Sequence, residues 1–385
     1  MLYYLIAYLE QEFQPPGFQV VQFITVRAAL AVITALLISL FVGRRIILWL
    51  RAQQLGERVR EGVDAGAIDH SHKAGTPTMG GVIILLSMLG STLLWGALTE
   101  VYVWLILLST AWMGAFGFAD DYIKVVKKNK GGLPARTKVI GQVSLGLLVG
   151  ATLYLHPDFA EVRALTYAPF IKGHVLNYDL VGYFVEGANL GWLVYIPVTL
   201  FIVTAVSNGV NLTDGLDGLA AGVTAFVALG LTALSYIAGN TVLSEFLGTI
   251  YLAGAGELTI FAASMAAACL GFLWYNANPA SVFMGDTGSL ALGAAVGVTA
   301  LLIRMELLLP LLCFVFFLES LSVIIQTTYF KYTRRRTGTG RRVFRMAPLH
   351  HHYEVLGVPE NKIVVRFWIV TAITVIAALL ILRIR

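Results

Sequence analysis

Apolar residues in this chain run in blocks of roughly 20 residues, the length an α-helix needs to cross about 30 Å of hydrocarbon. Ten such blocks lie near residues 20–43, 78–98, 101–119, 139–156, 191–208, 218–239, 257–275, 289–303, 307–330 and 363–383. Lipid offers backbone amides no hydrogen-bond partner, so blocks of this kind must fold as helices. The expected fold is an all-α polytopic integral membrane protein of about ten transmembrane helices. Composition agrees: the 385 residues are 58% hydrophobic and 13% charged, against about 45–50% and about 25% in soluble domains. An ordinary soluble enzyme and a disordered chain are both excluded. Cys269 and Cys313 sit inside apolar runs and read as buried small hydrophobes, with no disulfide or zinc set behind them.

The blocks at 139–156 and 289–303 are short and glycine-rich, which lets helices pack closely. No internal repeat is visible, so residues 1–385 are expected to form a single membrane-embedded domain. The opening MLYYLIAYLEQEF lacks a basic n-region and a small-residue cleavage site. It reads as a short interfacial helix rather than a signal peptide. Residues 157–190 form one sizeable outer loop with room for a small hairpin.

Basic residues orient the chain. Loops after odd-numbered spans, near 44–77, 120–138, 209–217, 276–288 and 331–362, together with the start of the last span, hold 21 of the 27 Lys and Arg. The other side holds five. That bias places the first set of loops in the cytoplasm and both termini outside, in the periplasm. The net charge of +5 is accounted for by these loops and their contact with anionic membrane lipids, so no nucleic-acid partner is expected.

Four polar clusters fall on the cytoplasmic side although neither acids nor histidines entered that count. They are Asp120-Asp121, the stretch from Asn208 and Asn211 to Asp214 and Asp217, the stretch from Asn276 through Phe283 to Asp286, and His350-His351-His352 with Glu354. An acid at the centre of a span costs roughly 2.5–3.5 kcal/mol; these sit at helix ends, beside water. Each has an ordinary reading. Asp-Asp can be a solvated helix end, Asp217 an N-cap for the following span, and Met-Gly-Asp-Thr-Gly a turn. Together on one face they suit a hard divalent cation, which takes one or two carboxylates plus substrate phosphates. A cytoplasmic active-site cleft for phosphate chemistry is therefore expected.

The basic residues bordering that face, Lys124, Lys127, Lys128, Lys130, Arg136, Lys138 and those of 331–345, are explained by topology. Lys73 is the exception, because Gly, Thr and Pro around it at a helix start make an anion site. Glu319 and Gln326 lie inside the ninth block, where an acid must face protein or a wet cavity.

The stretches ADDYIK, NLTDGLDGLA, NPASVFMGDTGS and APLHHHYE resemble the signatures of the polyprenyl-phosphate N-acetylhexosamine-1-phosphate transferase family, in the same order and across nearly the whole chain. The PLHHHYE stretch favours the branch with a muramoyl-pentapeptide donor over relatives using UDP-GlcNAc, which remain the alternative. The resemblance implies transfer of phospho-MurNAc-pentapeptide from UDP-MurNAc-pentapeptide to undecaprenyl phosphate. The products would be lipid I and UMP, in peptidoglycan synthesis, with Mg²⁺, at the cytoplasmic face of a bacterial inner membrane. A homodimer is a family-level expectation.

By the same resemblance, Asp286 is the Mg²⁺ ligand and Asp120 and Asp121 the catalytic pair. Asn211, Asp214 and Asp217 line the cleft near nucleoside and metal, and Phe283 stacks on uracil. Lys73, Thr78, Asn276 and Gln326 match substrate positions, and His350 and His351 contact phosphates or sugar. Direct attack by the lipid phosphate is preferred over a covalent carboxylate intermediate, because a phosphomonoester is already anionic. A cation-coupled transporter would instead place its carboxylates near mid-span. A CDP-alcohol phosphotransferase needs an Arg that the Asp214-Gly-Leu-Asp217-Gly stretch lacks.

Overall fold

The computed structural model describes residues 1–53, 75–129, 131–169, 171, 175–179 and 190–383. Lys73, Lys130 and most of the predicted loop 44–77 lie outside these residues. Among the described residues the regular structure is helical apart from one two-stranded hairpin. Helix α1 (Leu2–Phe13) precedes α2 (Ile24–Leu37), which continues through a π-turn into α3 (Gly43–Ala52). Then come α4 (Gly81–Trp95), α5 (Val101–Val125) and α6 (Ala135–Leu155). A two-stranded antiparallel hairpin follows, β1 (Leu165–Tyr167) on β2 (Val175–Asn177), with Leu165 opposite Asn177. The hairpin lies in the segment 157–190, which had room for one. The rest is α7 (Trp192–Thr213), α8 (Leu219–Ala238), α9 (Thr241–Leu247), α10 (Leu258–Asn276), α11 (Gly285–Leu302), α12 (Leu309–Leu312), α13 (Phe314–Thr337), α14 (Leu349–Val355) and α15 (Glu360–Ile381).

Among the described residues, eight helices are long and apolar enough to cross a membrane, or nine if a bent pair counts as one span. The chain is a multi-pass membrane protein. Two expected spans differ from the sequence reading. Residues 307–330 are not one straight helix: Glu306–Leu312 and Phe314–Thr337 meet at 78°. The hydropathy of the run is continuous, but the backbone breaks at Cys313, whose ψ of 23° is not helical. Residues 78–80 do not join the second span, and α4 is only 15 residues long. Met79 has φ of 72°, outside the helical region. The amides of Gly80 and Gly81 bond the carbonyls of Phe283 and Met284, each at 2.8 Å, instead of a helix.

Helix α11 is the axis of the molecule. Of its 18 residues 89% are buried, and α4, α5, α7 and α8 surround it. Small residues allow this crowding. A Cβ on Gly117 of α5 would lie 2.7 Å from the Thr287 Cα, one on Gly81 of α4 2.9 Å from the Thr287 carbonyl carbon, and one on Gly293 of α11 2.8 Å from the Val206 oxygen of α7. Each would force the helices apart. Cys269 and Cys313 are buried free thiols, as expected.

At the opposite ends of these helices from the acid clusters, Arg27 of α2 and Glu257 form a buried two-pronged ion pair at 2.7 and 2.5 Å. Glu257 also accepts the Ala97 amide at 2.8 Å, and Arg27 donates to the Trp95 carbonyl at 3.3 Å. The pair thus ties α2, the α4–α5 turn and the start of α10 together. Removing one partner strands a buried charge, at a cost of about 3–5 kcal/mol. Glu257→Ala is expected to lower the thermal unfolding midpoint of the detergent-purified protein sharply. An unchanged midpoint would show that the pair contributes nothing net.

Candidate active site

Three helix ends converge. Asp120 and Asp121 lie toward the C-terminal end of α5, Asp286 in the first turn of α11, and Asn211 near the end of α7. One oxygen from each of the three aspartates lies within 4.8 Å of the others. The sequence reading placed these acids beside water. They are instead largely enclosed: Asp120 is 0% and Asp121 3% exposed, and the Asp286 side chain keeps 15%.

Enclosed carboxylates need partners, and each has them. Asp120 accepts the Leu133 amide at 2.7 Å and pairs with Lys124 at 2.5 Å and Lys138 at 3.0 Å. Asp286 pairs with the same two lysines, Lys124 at 3.4 Å and Lys138 more closely. Its other oxygen accepts from Asn211 at 3.0 Å, and the same Asn211 amide group reaches Ser289 at 2.9 Å. Asp121 faces the amino end of α11, where its oxygens accept from the amides of Asp286 and Thr287 and the Thr287 hydroxyl. The donor set is all oxygen, which fits a hard cation such as Mg²⁺.

Local backbone geometry places Asp286. Gly285 has φ of +74°, which an L side chain rarely adopts. A Cβ there would also fall 2.6 Å from an Asp121 oxygen and 3.0 Å from the Thr78 hydroxyl. Thr78 is therefore at the site's edge, beside the turn that starts α11. Phe283, partly exposed, lies in the extended pairing with residues 77–80, where its amide bonds the Pro77 carbonyl at 2.8 Å.

The second and third clusters also join. Asp217 does not cap α8, whose N-cap position is Gly218 with no side-chain cap. Its carboxylate accepts from the Asn278 side chain at 3.2 Å and the Ala280 amide at 3.0 Å, while its own amide donates to Glu360 at 2.7 Å. Asn276 is buried and clamps the same junction, accepting from the Gly218 amide at 3.0 Å and donating to the Val282 carbonyl at 2.9 Å. Asp214, half-buried, ends α7.

The histidine cluster forms α14 rather than a loop. His350 is fully buried. Its Nδ1 lies 3.3 Å from Glu319 of α13, and its amide donates to the same carboxylate at 3.2 Å. Its ring presses on Gly215, where an added Cβ would come within 3.0 Å of the His350 Cε1. Burial pushes the His350 imidazole below its ordinary value despite the opposing pull of Glu319. His351 keeps partial exposure and bonds Glu354 at 2.9 Å. Gln326 of α13 holds the irregular stretch before α14, accepting from the amides of Val343 and Phe344 at 3.0 and 2.9 Å and donating to the Phe344 carbonyl at 3.1 Å. A chain of contacts thus links all four clusters: Asp120-Asp121 to Asp286, Asp286 to Asn211, Asp217 to Asn278, and Gly215 to His350.

Sequence reasoning missed Lys124, Lys138, Thr287, Ser289 and Glu360. Lys124, in the last turn of α5, carried a usable signal, its i+4 spacing from Asp120, but it fell in the predicted basic loop 120–138, whose charge topology already explained. Glu360 follows Pro359 at the start of α15 and reads as ordinary helix-start chemistry. Lys138 has no local mark of its role.

The glycosyl transferase family 4 profile matches residues 103–304. The phospho-N-acetylmuramoyl-pentapeptide-transferase signature 1 matches residues 73–85. Relatives named phospho-N-acetylmuramoyl-pentapeptide-transferase include the protein of Salinibacter ruber, 68% identical over 385 residues, and that of Chloroherpeton thalassium, 51% identical over 385 residues. The Flavobacterium psychrophilum protein is 46% identical over 412 aligned positions. In all three, the full length of both chains is covered.

Gly285→Ala is expected to destabilise the protein by about 1–2 kcal/mol, the cost of a left-handed backbone for an L residue, and to disturb Asp121. Thermal unfolding with a parallel activity assay checks this. Parental values for both would mean that the turn tolerates a side chain.

Proposed function

This chain belongs to the phospho-N-acetylmuramoyl-pentapeptide-transferase family, and from that premise we propose its reaction and the roles of its residues. It is a membrane transferase. Phospho-MurNAc-pentapeptide passes from UDP-MurNAc-pentapeptide to undecaprenyl phosphate, giving lipid I and UMP. The site faces the cytoplasm from a bacterial inner membrane, with both termini outside. The observation that carries this reading is the meeting of Asp120, Asp121 and Asp286 with two lysines at the amino end of the central helix.

Asp286, with Asp120 beside it, would hold Mg²⁺, which would supply positive charge against the negative charge developing on the leaving UMP. Lys124 and Lys138 border the same oxygens and offset charge spread over the phosphoryl group. The acceptor is already an anion, so its oxygen needs orientation more than activation. By the family resemblance, Asp120 or Asp121 would take any proton the phosphate still carries. Phe283, Asn211 and Asp214 line the nucleoside end. His351, still accessible, reaches toward phosphate or sugar, while His350 anchors α14 against Glu319 and Gly215. Asn276, Asp217 and Gln326 brace the loops that form the walls. Thr78 contributes from the chain preceding α4, and Lys73, outside the described residues, is assigned to the substrate by the family resemblance alone.

Asp286→Ala is expected to cut UMP release by at least about 10²–10³-fold, the scale for losing one charge-stabilising group, with the unfolding midpoint retained. Turnover near the parental rate would defeat the assignment. UDP-GlcNAc offered in place of UDP-MurNAc-pentapeptide should release little UMP; efficient release would favour the GlcNAc-1-phosphate branch instead. For the order of steps, incubation with donor and no lipid should leave the protein's mass unchanged. A phosphosugar adduct would overturn direct attack.

A further inference from the structure

Adjacent residues on a helix point about 100° apart, so Asp120 and Asp121 face different neighbours. Asp120 meets both lysines and the Leu133 amide. Asp121 meets none of these in a hydrogen bond or close ion pair. One of its oxygens accepts from the Asp286 amide at 3.1 Å, the other from the Thr287 amide at 2.9 Å and the Thr287 hydroxyl at 2.6 Å. The first amides of any helix have no partner within it. In α11 the residue at the N-cap position is Met284, which supplies no side-chain cap. Asp121, 165 residues earlier in the chain than Asp286, fills that role from another helix.

The consequence is mechanical. The carboxylate of Asp121 grips the backbone of the residue whose side chain reaches the two lysines and Asn211. Gly285 leaves it room, since a Cβ there would fall 2.6 Å from it. With its oxygens turned to α11, Asp121 is poorly placed to take a proton from substrate, whereas Asp120 borders the cations.

We propose that Asp121 is a positioning residue: its carboxylate caps the amino end of α11 from α5 and so fixes the placement of Asp286. This rests on the reading of Asp286 as a divalent-cation ligand. Thr287 belongs to the same device, because its hydroxyl and amide both hold Asp121.

The test uses the full chain in detergent with Mn²⁺ as the probe, its binding followed by the free-ion electron paramagnetic resonance signal, beside kcat and KM from UMP release. Asp121→Asn is expected to weaken Mn²⁺ binding about 10–100-fold, the usual effect of losing a residue that orients a ligand. It should lower kcat while KM for UDP-MurNAc-pentapeptide moves little. Thr287→Val removes one hydrogen bond and should shift both readouts the same way, by about 3–10-fold, and Thr287→Ser should restore them. The double variant should be no worse than Asp121→Asn alone, since both changes break one device. Unchanged Mn²⁺ affinity in Asp121→Asn, parental values in Thr287→Val, or losses that multiply in the double variant would each overturn the proposal. Should Asp121→Asn fail to fold, the Thr287→Val and Thr287→Ser pair still decides it. Asp286→Asn separates the two readings. If it binds Mn²⁺ as the parent does, the metal assignment fails; if it loses Mn²⁺ while Thr287→Val does not, only the role of Asp121 fails.

Discussion

A carboxylate inside a bundle of apolar helices persists only where backbone amides or cations reach it. Everything at this site follows from that requirement. Asp120 and Asp286 pair with two ammonium groups and Asp121 lies in the same cluster, so three carboxylates against two lysines leave one negative charge in excess and make the place receptive to a further cation. The amino end of α11 supplies amides and the favourable end of a helix dipole. Without those partners the enclosed acids would be too costly to keep charged.

Close helix approach makes the pairing possible. Gly117 lets α5 lie against the start of α11, and Gly81 does the same for α4. At that distance a side chain from α5 can reach the first amides of α11, and a side chain near the end of α7 can reach both Asp286 and Ser289. The glycines therefore act on the chemistry indirectly, by setting how far apart the polar ends of the helices stand. Further out, Glu319 of α13 holds His350 of the short helix α14, and Glu360 at the start of α15 holds the Asp217 amide in the turn after α7.

Much of this was legible beforehand. Asp120, Asp121, Asp214, Asp217 and Asp286 stood out because acids in apolar surroundings are costly, and the positive-inside bias put them on one side. Glu319 was expected to face protein, and it faces His350. The hairpin at 165–177 fell in the segment that had room for one. Lys124 and Lys138 were not legible as site residues, because a lysine in a basic loop looks the same whether it holds lipid headgroups or a buried carboxylate. Nor was the break at Cys313, since hydropathy sums side-chain solvation and carries no information about backbone direction.

The sequence by itself determined the class of fold, the positions of most of the apolar helices and which polar residues had no business in lipid, because each of these depends on the local balance between side-chain solvation and backbone hydrogen bonding. Tertiary structure alone decided which way each of two neighbouring aspartates turns, which lysines pair with them, and that His350 is an interior residue. Those outcomes depend on how helices distant in the chain rotate and slide against one another: Asp121 and Thr287 are separated by 166 residues, and only close packing brings them into hydrogen-bond contact.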